Sequence, residues 1–109
     1  MKRIYLSGPI TGREAEATAA FENAEHMVRR MGHYPINPEK CLRATNYEHD
    51  DYMPINLAML KPCDGILLLP GWRESVGACA EWGMALALGK DILYLPPDGT
   101  IRREEKHEA

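Results

Sequence analysis

Short apolar runs alternating with helix-period segments constrain this chain more than any other feature. Residues 3–6 form an apolar run that ends at Ser7-Gly8-Pro9, a turn signal. Residues 14–31 carry Ala17, Phe21, Ala24, Val28 and Met31 at helical spacing, and Gly32 stands where a helix would stop. Residues 33–38 read as a short strand ending in prolines, which places it toward a sheet edge. Residues 39–46 read as a loop. A second helical pattern runs over 48–61 through Tyr52, Met53, Leu57 and Leu60, with Pro54 tolerated if the helix starts near Met53. The fully apolar run 63–69 is a buried strand, 77–88 a third helix closed by Gly89, and 91–95 a last strand stopped by Pro96-Pro97.

Nearly continuous apolar strands with helices between them predict a parallel sheet of four to five strands covered on both faces. Right-handed crossovers make this α/β chain a flavodoxin-like or Rossmann-like three-layer sandwich, with strand 2 outside strand 1 and strands 3 and 4 on the other side. The 109 residues suffice for one domain, expected over 1–97, with 98–109 a polar tail or short surface helix. Hydrophobic and charged contents of 45% and 27% are ordinary for a globular chain. A net charge of −3 gives no support for a nucleic-acid polymer or an anionic membrane as partner. No apolar run approaches the roughly 20 residues that span a bilayer. The basic start leads directly into a turn rather than a signal-peptide core, so a cytoplasmic location is expected. Cys41, Cys63 and Cys79 are an odd, widely spaced set without a C-x-x-C, so neither zinc nor another metal or cofactor is expected. Cys79 is expected to be a buried, reduced thiol.

In open parallel sheets ligands bind at the carboxyl ends of the strands, where strand order reverses. Here that point lies between the loops 7–13 and 70–77. The first loop combines Ser7, Gly8, Ile10, Thr11, Gly12 and Arg13 with a following helix start; it serves either as a plain turn or as half of an anion site. The second brings Ser75 and Gly77 to another helix start. Glu81 follows six residues after Ser75, about one and a half turns along that helix. A carboxylate in so apolar a segment is costly to bury unless it is paired or used. Tyr5 points to the same strand ends, either as a partner that holds Glu81 or as a core tyrosine. Trp72 is placed to stack on a base or line the cleft, and Trp82 to pack in a core or subunit interface.

Three motifs then carry a resemblance. Tyr5-Leu6-Ser7-Gly8-Pro9-Ile10-Thr11-Gly12, Cys63-Asp64-Gly65-Ile66-Leu67-Leu68-Leu69-Pro70-Gly71-Trp72 and Ser75-x-Gly77-x-x-x-Glu81-x-Gly83-x-Ala85 resemble the nucleoside 2-deoxyribosyltransferase-like superfamily. The likeness is to its 2′-deoxynucleoside 5′-phosphate N-hydrolase branch and to small bacterial and phage members, and it covers residues 3 to about 95. The resemblance implies a flavodoxin-like fold and cleavage of the N-glycosidic bond of nucleosides or their 5′-monophosphates, by hydrolysis or base transfer. It makes Glu81 the nucleophile that forms a glycosyl ester, as in retaining glycosidases. It also makes Tyr5 the residue that positions Glu81, and assigns the 5′-phosphate to Ser75 and the loop 8–13.

One position departs from the family pattern. The aspartate expected eight residues before Asp64, which serves the leaving base, is Asn56 here. An amide forms hydrogen bonds to a base but is no general acid. Asp50 and Asp51 are the nearest substitutes, followed by Glu48 and His49; the same cluster also reads as a solvated helix cap. Asp64 is assigned no chemistry. Two alternatives follow: a nucleotide-binding or sensing module with weak catalysis, and an NAD or ADP-ribose glycohydrolase. Because a chain this short leaves its cleft open on one side, a homodimer or higher homo-oligomer is expected.

Overall fold

A computed structural model describes residues 1–46 and 52–104. Among these residues the chain forms β1 (Arg3–Ser7), α1 (Glu14–Arg30), β2 (Tyr34–Ile36), α2 (Pro38–Ala44), α3 (Tyr52–Leu60), β3 (Gly65–Leu68), α4 (Val76–Ala87), β4 (Asp91–Tyr94) and β5 (Arg102–Arg103). Five strands make one sheet in the order β2-β1-β3-β4-β5. The first four are mutually parallel, and β5 runs antiparallel to β4. This is the flavodoxin-like arrangement expected from the apolar runs, with β2 at an edge and the reversal of strand order between β1 and β3.

Side-chain alternation along β1 divides the core in two. Ile4 and Leu6 face α1, where Ala17, Phe21, Ala24 and Val28 line one helical face with Leu67 and Leu93. Tyr5 faces the other layer, with Ile66, Leu68 and Ile92 from the sheet, Leu60 from α3 and Ala85 from α4. The α1 pattern ends as expected: Met31 is the cap and Gly32 follows at φ +81°.

Three local readings change. Residues 38–44 form α2, where Pro38 was expected to end the second strand and 39–46 to be a loop. Asn37 accepts the Glu39 amide at 3.0 Å and Pro38 takes the first helical position, a cap-and-proline start whose meaning the prolines obscured. This short helix brings Pro38 and Leu42 to the cleft. Residues 102–103 of the expected polar tail pair with β4. Arg103 reaches Asp91 at 2.6 Å, and the Tyr94 hydroxyl donates to Glu104 at 2.9 Å. Charged side chains suit an exposed edge strand, so their polarity concealed it. Third, residues 72–74 form a single 3-10 turn before α4 rather than open loop. Residues 48–51, read as the start of the second helix, lie outside the described residues. No helix among the described residues is long and apolar enough to cross a membrane.

The loop after β1 is pressed against the end of β3. The Leu69 amide donates to the Ser7 carbonyl at 2.8 Å, and a Cβ added at Gly8 would lie 2.9 Å from Leu69 Cβ. Both atoms sit on backbone that the sheet fixes. Gly8→Ala is therefore expected to destabilise the fold by about 1–3 kcal/mol, read as a lowered urea midpoint with an unchanged slope.

Candidate active site

α4 begins at a serine cap: Ser75 Oγ accepts the Ala78 amide at 3.2 Å. The cap fixes the helix so that Glu81 faces the carboxyl end of β1, where its side chain is 5% exposed. Tyr5 Oη donates to Glu81 Oε2, and Ser7 Oγ donates to Oε1 at 2.7 Å. Tyr5 and Ser7 are two apart on one strand, so both reach the same face, and each holds one carboxylate oxygen. Ser7, expected to contact phosphate, is instead buried against Glu81. The signal for this lay in the strand period: the partner of a residue that Tyr5 reaches is two positions on.

Among the described residues no lysine, arginine or histidine pairs with Glu81. Burial pushes its pKa up to about 7, against the opposing pull of the Tyr5 and Ser7 hydrogen bonds. Burial, and then the adjacent Glu81 charge, hold the Tyr5 phenol well above its usual range. Tyr5 therefore remains a donor. Near neutral pH Glu81 divides between a carboxylic acid and a carboxylate carried by two hydroxyl donors.

The cleft has two parts. An inner pocket of about 40 Å³ is walled by Glu81, Ser7, Gly8 and, from α3, Tyr52, Met53 and Asn56. Asn56 lies on the buried face of α3 with Tyr52 and Leu60, at four-residue spacing. An outer basin of about 630 Å³ opens beside it, lined by Ile10, Thr11, Arg13, Glu74, Ser75 and Gly77. Ile10, Thr11, Ser75 and Gly77 border both parts. The first-turn amides of α4 lack acceptors within the helix, and Ser75 Oγ takes only that of Ala78, so the helix start presents N–H groups at this border.

The remaining expectations divide. Arg13 reaches the basin but pairs with Glu74 at 3.1 Å, an acidic neighbour not anticipated from the sequence. Gly12, at φ +78°, makes the turn into α1, and its amide donates to Glu14 Oε1 at 3.2 Å. Trp72 does not line the cleft. It packs behind the sheet ends against Trp82 and Tyr94, with ring centroids 5.6 and 6.0 Å away. The short 3-10 turn after Gly71 swings it to that side. Trp82 shares this half-buried cluster. Cys79 is half-buried, and Cys63 is the buried thiol. Glu48, His49, Asp50 and Asp51 lie outside the described residues.

A parallel sheet with its cleft at the β1–β3 reversal, holding a carboxylate on the neighbouring helix, defines a flavodoxin-like α/β protein with a strand-end site. Residues 2–94 match the family described as Domain of unknown function (DUF4406), and the chain belongs to that family. A search among curated proteins finds no match. Among solved structures, a 2-desoxiribosyltransferase from Leishmania mexicana superposes with a TM-score of 0.66 at 24% identity, over 88% of this chain and 65% of that one. This chain thus spans about two thirds of that protein's length. A 2-deoxyribosyltransferase from Bacillus psychrosaccharolyticus gives 0.63 at 22% identity, over 92% and 76% of the two chains. The Clostridium botulinum CMP N-glycosidase BcmB gives 0.60 at 25% identity, over 87% and 71%. The resemblance carried by the sequence motifs, to the nucleoside 2-deoxyribosyltransferase-like superfamily, thus holds in the fold.

Protonation of Glu81 links the site to stability. Its folded pKa of about 7 lies above the usual 4.5, so the folded state keeps a proton that the unfolded chain releases between those values. That contribution is full below pH 4.5 and lost as pH rises through 7; the span corresponds to about 3 kcal/mol. Glu81→Gln removes the titration. The melting temperature of the variant relative to the parent is expected to be higher at pH 8 than at pH 5, measured by calorimetry at both.

Proposed function

We propose that the protein cleaves the N-glycosidic bond of a nucleoside 5′-monophosphate with Glu81 as nucleophile. The observation that carries this is the buried Glu81 carboxylate, held by Tyr5 and Ser7 and facing a cleft at the strand ends. A carboxylate oxygen of Glu81 attacks C1′, the base departs with the bonding electrons, and a glycosyl ester remains. Attack by water on that ester gives hydrolysis; attack by a second base gives transfer. Tyr5 and Ser7 fix both oxygens, so the rotamer is set before substrate arrives.

The outer basin suits the phosphate. The Ser75 hydroxyl, the amides at the start of α4 and the Arg13 guanidinium surround it, with Thr11 and the Gly8–Gly12 turn opposite. A phosphate there competes with Glu74 for Arg13. The inner pocket takes the anomeric carbon and the near edge of the base, with Asn56 as hydrogen-bond partner. The likeness to two deoxyribosyltransferases and a CMP N-glycosidase supports the reaction class.

Glu81 must be ionised to attack, so kcat/KM is expected to rise with pH and level off above about 7. Tyr5→Phe removes a hydrogen bond that holds the Glu81 pKa down, and moves that limb to higher pH. The rate at pH 7 is expected to fall about tenfold or more, as befits loss of a charge-assisted bond. Chromatography of free base released from a panel of ribo- and deoxyribonucleotides provides the measurement. Absence of release from every member, or release unaffected by Glu81→Ala, contradicts the assignment.

A further inference from the structure

Two features of the inner pocket bear on which leaving group it suits. Glu81 is a buried carboxylate with two hydroxyl donors and, among the described residues, no cationic partner. Facing the same small space is Asn56, 9% exposed, whose Oδ1 accepts no hydrogen bond among the described residues. A neutral base leaving C1′ keeps the bonding electrons on its ring nitrogen, and a general acid that protonates it is worth about 10²–10⁴-fold. Asn56 delivers no proton.

A leaving ring that already carries the positive charge needs none. When its C1′–N bond breaks, the electron pair neutralises the ring and a stable molecule departs. The same charge, brought close to the buried Glu81, supplies a counter-ion and favours the ionised carboxylate. Asn56 Oδ1 then accepts an N–H from a ring substituent such as a carboxamide or amine, filling its empty acceptor.

We propose that the substrate is a nucleotide whose leaving group is a cationic heteroaromatic ring of the pyridinium type, with Asn56 as the residue that sets this specificity. The proposal rests on Glu81 as nucleophile. A Glu81 oxygen bonds to C1′ while the C1′–N bond breaks, its electrons going to the ring nitrogen. Water then bonds to C1′, the ester C1′–O bond breaks back to Glu81, and the surplus water proton passes to solvent.

Nicotinamide mononucleotide serves as the cationic probe, with uridine and cytidine monophosphates, ribo and deoxy, as neutral single-ring comparators at pH 8. The expected kcat/KM is more than tenfold higher for the cation. Asn56→Asp, which restores an acid, is expected to raise cleavage of the neutral nucleotides at least tenfold and to add a descending limb to their pH profile. Neutral nucleotides cleaved by the parent as fast as the cation overturn this inference and leave Glu81 as nucleophile standing; release from none of them overturns both. Binding gives a second readout. 1-Methylnicotinamide, the pyridinium cation methylated on the ring nitrogen, is expected to raise the melting temperature of the parent at pH 8 more than uncharged nicotinamide does, and the difference is expected to vanish in Glu81→Gln. Equal shifts from the two ligands in the parent count against the proposal.

Discussion

The site depends on one buried group, the Glu81 carboxylate clamped between Tyr5 and Ser7. Burying a carboxylate without a cation is unfavourable, and two hydroxyl donors offset only part of the cost. The fold accepts this because the donors belong to the interior strand β1, paired on both sides, and the acceptor belongs to a helix capped at its own start. Strand alternation, helix register and the Ser75 cap must all agree within hydrogen-bonding distance. Each is a local feature of the sequence, and the carboxylate is where they meet.

Much of this was legible in the sequence because it rests on local patterns. The apolar runs specified β1, β3 and β4, and the spacing of Ala17, Phe21, Ala24 and Val28 specified α1 to within a residue. Glu81 was conspicuous as a lone charge in an apolar helix, and Tyr5 was already paired with it as one of two readings. What escaped was set by direction rather than pattern. Ser7 turned inward because it shares a face with Tyr5, although its neighbourhood of glycine and proline looked like an anion loop. Trp72 turned away because a single 3-10 turn rotated its side chain toward Trp82 and Tyr94. α2 and β5 escaped because prolines and paired arginines read as loop and tail until their partners, the Asn37 cap and strand β4, were in view.

Charge is distributed unevenly through the cleft. The inner pocket holds a carboxylate with no cationic partner among the described residues and a neutral amide, while the outer basin has an arginine already engaged by Glu74. That ion pair is exposed and therefore weak. On the proposed reading a phosphate would compete with Glu74 for Arg13, and the reacting carboxylate and the phosphate would lie on either side of the start of α4.

The two ends of the sheet bear on how copies of the chain can meet. At one end β2 is three residues long; Tyr34 donates inward to Lys2 at 2.8 Å, so alternation leaves Pro35 at the outward position, where it has no N–H to offer. At the other, β5 is two residues of arginine. Neither edge can template a further strand. Any homo-oligomer of this protein would therefore join through its helices and loops, and one that used α3 or α4 would bring the partner beside the cleft.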